Sequence, residues 1–173
     1  KIRELSYNFD TDGYVAPDLT ILNDIVTKSG ITEMAYQQEP DSILWCVRDD
    51  GILAGLTYQR SENVIAWHRH KLGGTFGAGA SATGYGVVES VASISGELTE
   101  DELYVIVKRT INGATKRYVE VFAPFDFDET SSTDFRFLDS HLTYSGSATT
   151  TLSGLSHLEG QVVSILADGS THA

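Results

Sequence analysis

Cysteine occurs once, at position 46, so this chain can close no internal disulfide. The thiol sits inside ILWCV, an apolar run with strand character, and reads as a buried, inert group rather than a nucleophile. Basic residues are also scarce: 12 Lys and Arg stand against 24 Asp and Glu, for a formal net charge of −12. That balance argues against a general nucleic-acid binder, which presents a basic face, and against anchoring to anionic lipid. It suits a protein that DNA must slide past without sticking, because phosphates are repelled. No apolar run approaches the roughly 20 residues of a membrane-spanning helix, so no membrane insertion is expected. The first residue is Lys1 rather than Met, which leads us to expect a native start upstream.

What is present is a chain of 173 residues with 41% hydrophobic content, enough for one domain or two small ones. Helix signals are few. The stretch PDLTILNDIVTKSG is the only convincing candidate: Pro17 suits a first turn, Leu19, Leu22, Ile25 and Val26 share a face, and Gly30 follows as a stop. The spacing therefore predicts a short helix over about 17–28. From residue 31 the pattern is β. ILWCVR-DDG-ILAGLTY predicts a hairpin with Asp50-Gly51 as a two-residue type I′ turn, which would set Val47 opposite Ala54, Trp45 opposite Leu56 and Ile43 opposite Tyr58. NVIAWHRH follows as a third strand. ELYVIVKRTI-NG-ATKRYVEV predicts a second hairpin turning at Asn112-Gly113, with Ile106 facing Val119 and Tyr104 facing Val121.

These two halves read as a divergent repeat, each a Glu, an apolar strand, a polar loop, a Leu-aromatic strand and a Gly turn. Repeats of this size suggest blade-like antiparallel sheets, as in part of a β-propeller. Between them, residues 73–86 hold six glycines in fourteen positions and read as a flexible surface loop. We therefore expect a β-rich blade-like domain over 1–129 and the start of a small β module over 130–173. In that module Val162 to Leu166 forms a strand and Asp168-Gly169 a turn. Only four residues follow, so the return strand is expected to be missing and the natural chain to continue past Ala173.

Candidate chemistry is thin. His68 and His70 in AWHRH point to one face of a strand, as paired zinc ligands can, but zinc takes three or four ligands. The remaining histidines, His141, His157 and His172, lie far along the chain, so the expectation is a strand end with polar rings at the sheet rim. DTDG at 10–13 opens like a calcium loop, but Ile21 stands where the closing Glu belongs. Gly-x-Gly in 73–86 lacks the Lys-Ser/Thr of a phosphate loop, and no Gly-x-Ser-x-Gly elbow occurs. No catalytic, cofactor or metal residues are assigned. One feature stands against the acidic background: Lys108, Arg109, Lys116 and Arg117 place like charges opposite each other in the second hairpin, which destabilises a ladder unless anions lie near. Glu97, Glu100, Asp101, Glu102 or Glu120 could supply them within the chain. An acidic patch on an adjacent subunit is the other reading, which makes these four residues a candidate subunit interface.

As a set, MAYQQEPDSILWCVRDDGILAGLTY, AWHRH, VESVA, DELYVIVKRTINGATKRYVE, FLDSHLTYSG and TTTLSGLSHLEGQVVSILADG resemble the nozzle, or tail tubular B-like, proteins of short-tailed bacteriophages and prophages. The resemblance implies a non-enzymatic virion structural protein. Such proteins form a ring at the distal end of the tail and continue the channel through which DNA leaves. Implied partners are other copies of the chain, neighbouring tail proteins and, as a further partner, a host receptor; DNA would pass without specific binding. Implied location is the virion tail, assembled in the host bacterial cytoplasm. Rival readings are a glycan-binding module at the tail tip, stacking sugars on Tyr7, Tyr14, Tyr85 and Tyr144, and a cell-envelope hydrolase.

Overall fold

A computed structural model describes residues 1–96, 100–123, 137–167 and 169–172. The chain is mainly β. Its strands are β1 (Ser6–Asn8), β2 (Gly13–Val15), β3 (Ile31–Gln37), β4 (Ile43–Arg48), β5 (Leu53–Gln59), β6 (Val64–His70), β7 (Val87–Ser95), β8 (Asp101–Ile111), β9 (Ala114–Val121), β10 (Ile165–Ala167) and β11 (Ser170–His172). They form two antiparallel meanders, β3-β4-β5-β6 and β7-β8-β9, and two small ribbons, β1-β2 and β10-β11.

The meanders share one core. Ile43, Trp45, Val47 and Leu53 of the first sheet pack with Val88, Val91, Leu103, Val105 and Val107 of the second, and Leu72 joins from the connection between them. Alternation explains the choice: in β8, residues 103, 105 and 107 point in and their neighbours point out. Each such side chain contributes about 1.5–3 kcal/mol on burial. The opposite face of the first sheet buries Cys46 and Ala54 under Val26, with Ile31, Leu44 and Trp67 around them.

The first hairpin departs from its expected register by one residue. Val47 pairs with Leu53, Cys46 with Ala54, Trp45 with Gly55, Leu44 with Leu56 and Ile43 with Thr57. The loop holds three residues, not two: the Gly51 N–H donates to the Arg48 carbonyl at 2.8 Å and the Arg48 N–H to the Ile52 carbonyl at 3.1 Å. This is a turn closed by a left-handed Gly51, φ 79°, the form a three-residue hairpin takes. The shift moves Leu53 and Gly55, instead of Ala54 and Leu56, onto the core face. The second hairpin forms as expected. Asn112 and Gly113 have φ 50° and 74°, and Ile106 pairs with Val119, Tyr104 with Val121.

The expected helix over 17–28 is absent. Only a single 3-10 turn, Asp24–Thr27, forms there. The Asp18 carboxylate accepts hydrogen bonds from the Thr20 N–H at 2.9 Å and the Thr20 hydroxyl at 2.6 Å, and the Leu19 N–H donates to the Ile2 carbonyl at 3.0 Å. These bonds commit the backbone elsewhere, and a segment rich in Thr, Ile and Val has little helical preference to resist them. Of the supposed apolar face, Leu19 and Val26 are buried while Leu22 is 98% exposed.

The Gly-rich stretch 73–86 is hydrogen-bonded rather than open. The Gly86 N–H donates to the Leu72 carbonyl at 2.8 Å and the Thr83 N–H to the Phe76 carbonyl at 2.9 Å. Gly74 is buried, and a Cβ there would stand 2.6 Å from the Arg109 side chain, so glycine makes room for it. At the C-terminal end the return strand expected to be missing is present: Ala167 pairs with Ser170 and Ile165 with His172, with Gly169 at φ 73°. The expected strand start at Val162 is not observed; β10 begins at Ile165. Asp168 and the expected boundary near 129 lie outside the described residues.

Candidate functional site

The type I′ turn fixes where the four basic residues go. Lys108 pairs with Arg117 on the outer face of the second sheet, and Arg109 with Lys116 on the inner face. On the outer side a single carboxylate serves both cations: Glu89 lies 2.9 Å from the Lys108 ammonium and accepts from Arg117 Nε at 2.6 Å. Arg117 first, and then Lys108, hold the Glu89 carboxyl below its ordinary range, and Glu89 in turn raises Arg117. The Lys108 ammonium also stands 4.3 Å from the Phe76 ring centroid.

Arg109 is fully buried. Its guanidinium forks onto Glu120 through Nη1 and Nη2, donates from Nε to the Gly73 carbonyl at 2.7 Å, and faces the Tyr118 ring at 5.7 Å. Glu120, one of the anticipated carboxylates, is thus the partner of Arg109. Glu89 was not anticipated; a bulge between Val88 and Ser90 brings it to the pair, and bulges leave no clear sequence signal. Glu97 lies outside the described residues. Lys116 is exposed and, among the described residues, makes no ion pair. Of the four basic residues, Lys116 and Arg117 therefore remain at the surface.

The histidines end β6 as expected, but not at a wet rim. They lie on the core-facing side, where His68 pairs with Gly55. A Cβ on Gly55 would meet the His68 ring at 2.1 Å, so glycine makes the room. Both rings pack against Trp45, at 5.4 and 5.3 Å between centroids. The rings form a hydrogen-bonded chain: His68 Nδ1 lies 2.8 Å from His70 Nε2, and His70 Nδ1 lies 2.5 Å from Asp139. Burial, then the neighbouring His70, lowers His68 to about 4. Next to Asp139, the Ser140 hydroxyl lies 3.2 Å from His157 Nε2. Sequence spacing could not reveal Asp139, 69 residues from His70. Among the described residues no group of three or more His, Cys, Asp and Glu is arranged to hold a metal ion. Cys46 is fully buried, and burial pushes its thiol up to about 11.

Two further surfaces are open. DTDG forms the tip of the β1-β2 ribbon, where Tyr7 stands edge-on to Phe9 and Tyr14 at 5.0 and 5.6 Å. A cleft of about 400 Å³ is lined by Tyr36, Gln38, Glu39, Ser93, Ser95 and Asp101. The Asp101 carboxylate is committed there, accepting the Gln38 and Glu39 N–H groups at 2.8 and 3.1 Å, which lowers its pKa. Of the tyrosines named for sugar stacking, Tyr7, Tyr14 and Tyr144 are exposed, whereas Tyr85 is half-buried and donates to the Asp50 carbonyl at 3.2 Å. Compared with known proteins, the chain matches no protein-family model and no curated protein.

Proposed function

We propose that this chain is a structural subunit of a short-tailed phage tail, acting through assembly at the nozzle and not through catalysis. The observation that carries the reading is the large apolar surface outside the core. Leu5, Phe9, Tyr14, Ile21, Leu22, Val119 and Val162 are each more than 70% exposed, on separate parts of the fold. Two clusters form among them: Phe9 and Tyr14 both pack on Tyr7, and Val119 continues a row with Ile106 and the exposed Val121, and apolar clusters of this kind mark contact with other chains. The resemblance of the hairpin and C-terminal strings to nozzle proteins supplies the kind of assembly. In that reading the two meanders are blade-like units of a larger ring, and the −12 charge keeps exiting DNA from adhering. Lys116 and Arg117 are the surface part of its subunit interface. Partners are further copies and neighbouring tail proteins, and the place of action is the virion tail, built in the bacterial cytoplasm. Negative-stain microscopy of phage particles labelled with an antibody raised to this chain tests it. Label at the distal tail end is expected; label confined to capsids, or none on intact and on opened particles, overturns it.

A second reading, a glycan-binding module reaching a host receptor, draws on the polar cleft beside the half-exposed ring of Tyr36. Glycan-array binding lost on Tyr36→Ala would favour it.

A further inference from the structure

The histidine rings that end β6 form a hydrogen-bonded chain that reaches the C-terminal run through Asp139. A neutral imidazole offers one N–H and one lone pair. The Asp139 carboxylate accepts, so His70 Nδ1, 2.5 Å away, carries its proton there. One further proton then sits between His68 Nδ1 and His70 Nε2, which are 2.8 Å apart. The pair can take up one more proton, on His68 Nε2, with both contacts intact. It cannot take up two, because N–H groups on both facing nitrogens would point at each other across 2.8 Å. Sterics decide which ring yields. His68 is walled in by the Trp45 ring and by the Gly55 backbone, where a Cβ would meet it at 2.1 Å. The His70 side chain is 20% exposed and that of Asp139 37%. Among the described residues, the charged or titratable groups that act on His68 are His70 and Asp139. The neighbours from β4, β5 and the end of β9 are Trp45, Gly55 and Phe122, all uncharged. Arg69 lies on the opposite face of β6, and His157 bonds Ser140 further along the run.

We propose that acid releases the C-terminal run: when both rings of the His68–His70 pair are charged, His70 turns out of line, Asp139 loses its anchor, and residues 137–167 detach from the paired sheets. No residue of that run is buried, so side-chain contacts of this kind are what hold it. The direction follows from counting protons. In the closed form His68 is held near 4, by burial first and then by His70, while Asp139 is the smallest influence and opposite in sense. Once His70 has turned away, water reaches the His68 ring and its value returns toward the ordinary 6.5 or so. Between those values the open form binds the extra proton. Closure is therefore complete above about pH 6.5 and is lost progressively as pH falls toward 4. The attraction of a charged His70 for Asp139 resists release, but that carboxylate is partly exposed and its pull is screened by solvent.

Hydrogen-exchange mass spectrometry at pH 7, 6 and 5, with each rate divided by the intrinsic rate at that pH, tests the release. Protection over residues 156–167 should fall about tenfold or more from pH 7 to 5, and should stay well below that of β4 and β8 throughout. Asp139→Asn with Glu159→Gln leaves acceptors in place and removes the titration of the run's own carboxylates; the slope should remain. His68→Gln cannot take up the proton, and its slope should shrink to about twofold or less. Far-UV circular dichroism at pH 7 checks that both variants fold; if His68→Gln does not, the wild type and the carboxylate variant decide. Wild-type protection that is level from pH 7 to 5 overturns the proposal. So does a slope that survives in His68→Gln, or one that vanishes with the two carboxylates, since the trigger then lies outside the ring pair. Protection equal to that of β4 and β8 at every pH also overturns it, because the run would then open only with the whole fold.

Discussion

A guanidinium at full burial is tolerable only while its carboxylate stays in place. Arg109 has Glu120 and the Gly73 carbonyl, and Gly74 and Gly86 lie too close to its side chain to carry a Cβ comfortably. Removing the carboxylate leaves a charge in the core, so Glu120→Ala should destabilise the fold by about 3 kcal/mol in urea titration. Arg109→Met combined with Glu120→Met should cost far less, because no unpaired charge remains. If the single and double variants unfold at the same urea concentration, the pair is not what anchors the hairpin. His68 gives a pH signature. Its folded value, near 4, lies below the ordinary histidine value of about 6.5, so between these the unfolded chain binds more protons. Its stabilising contribution is complete above about pH 6.5 and is lost as pH falls toward 4. The urea midpoint should therefore drop from pH 7 to 5 more steeply in the wild type than in His68→Gln; parallel profiles would contradict the burial argument. These sites were only partly legible in the sequence. Opposed like charges told that anions must be near, and Glu120 was among the candidates. Asp139 reaches His70, and Glu89 the outer pair, through loop paths and a bulge that no local pattern encodes.

At the level of elements, the two Gly turns show where local rules end. Asn112-Gly113 formed as read, because both residues take the left-handed conformation at little cost and nothing crowds Gly113. Asp49-Asp50-Gly51 did not, and the reason is tertiary. Arg48 is buried and places Nε and Nη2 on the Asp50 carboxylate at 3.1 and 2.6 Å, which also accepts the Ile52 N–H at 3.3 Å. That network favours a three-residue loop, and Gly51 then meets Val87 of the second sheet. A Cβ on Gly51 would stand 2.5 Å from Val87 Cγ1, whereas one on Gly113 would meet nothing within 4 Å. Gly113→Ala should therefore cost about 1 kcal/mol for its backbone alone. Gly51→Ala should cost about 3 kcal/mol, with overpacking added. Equal losses in chemical denaturation would mean the sheets do not meet there. The same contrast explains the helix reading. Apolar spacing over 17–28 was real, but Asp18 and the pairing with residue 2 recruited the backbone first. The β class and strand order from β3 to β9 follow from alternation and turn residues, which are local. Register in the first hairpin depends on a neighbour in space.

At the scale of the whole molecule, the chain divides into a packed pair of sheets and a C-terminal run laid against it. From Phe137 to Ala167 no residue is buried, and only β10 forms a strand. The run is held by side chains: Asp139 on His70, the Glu159 carboxylate accepting the Asn112 N–H at 2.5 Å, and Leu158 close over Gly73. Segments with few buried apolar contacts open at a free energy well below global unfolding. Each of the two polar contacts is worth about 1 kcal/mol. Asp139→Ala with Glu159→Ala should therefore speed amide exchange over residues 156–167 about tenfold or more, while β4 and β8 exchange as in the wild type. Hydrogen-exchange mass spectrometry reads both at once. Equal acceleration in β4 and β8 would mean that the run is part of the cooperative core, and that the His70–Asp139 contact supports both sheets instead of tying down an arm.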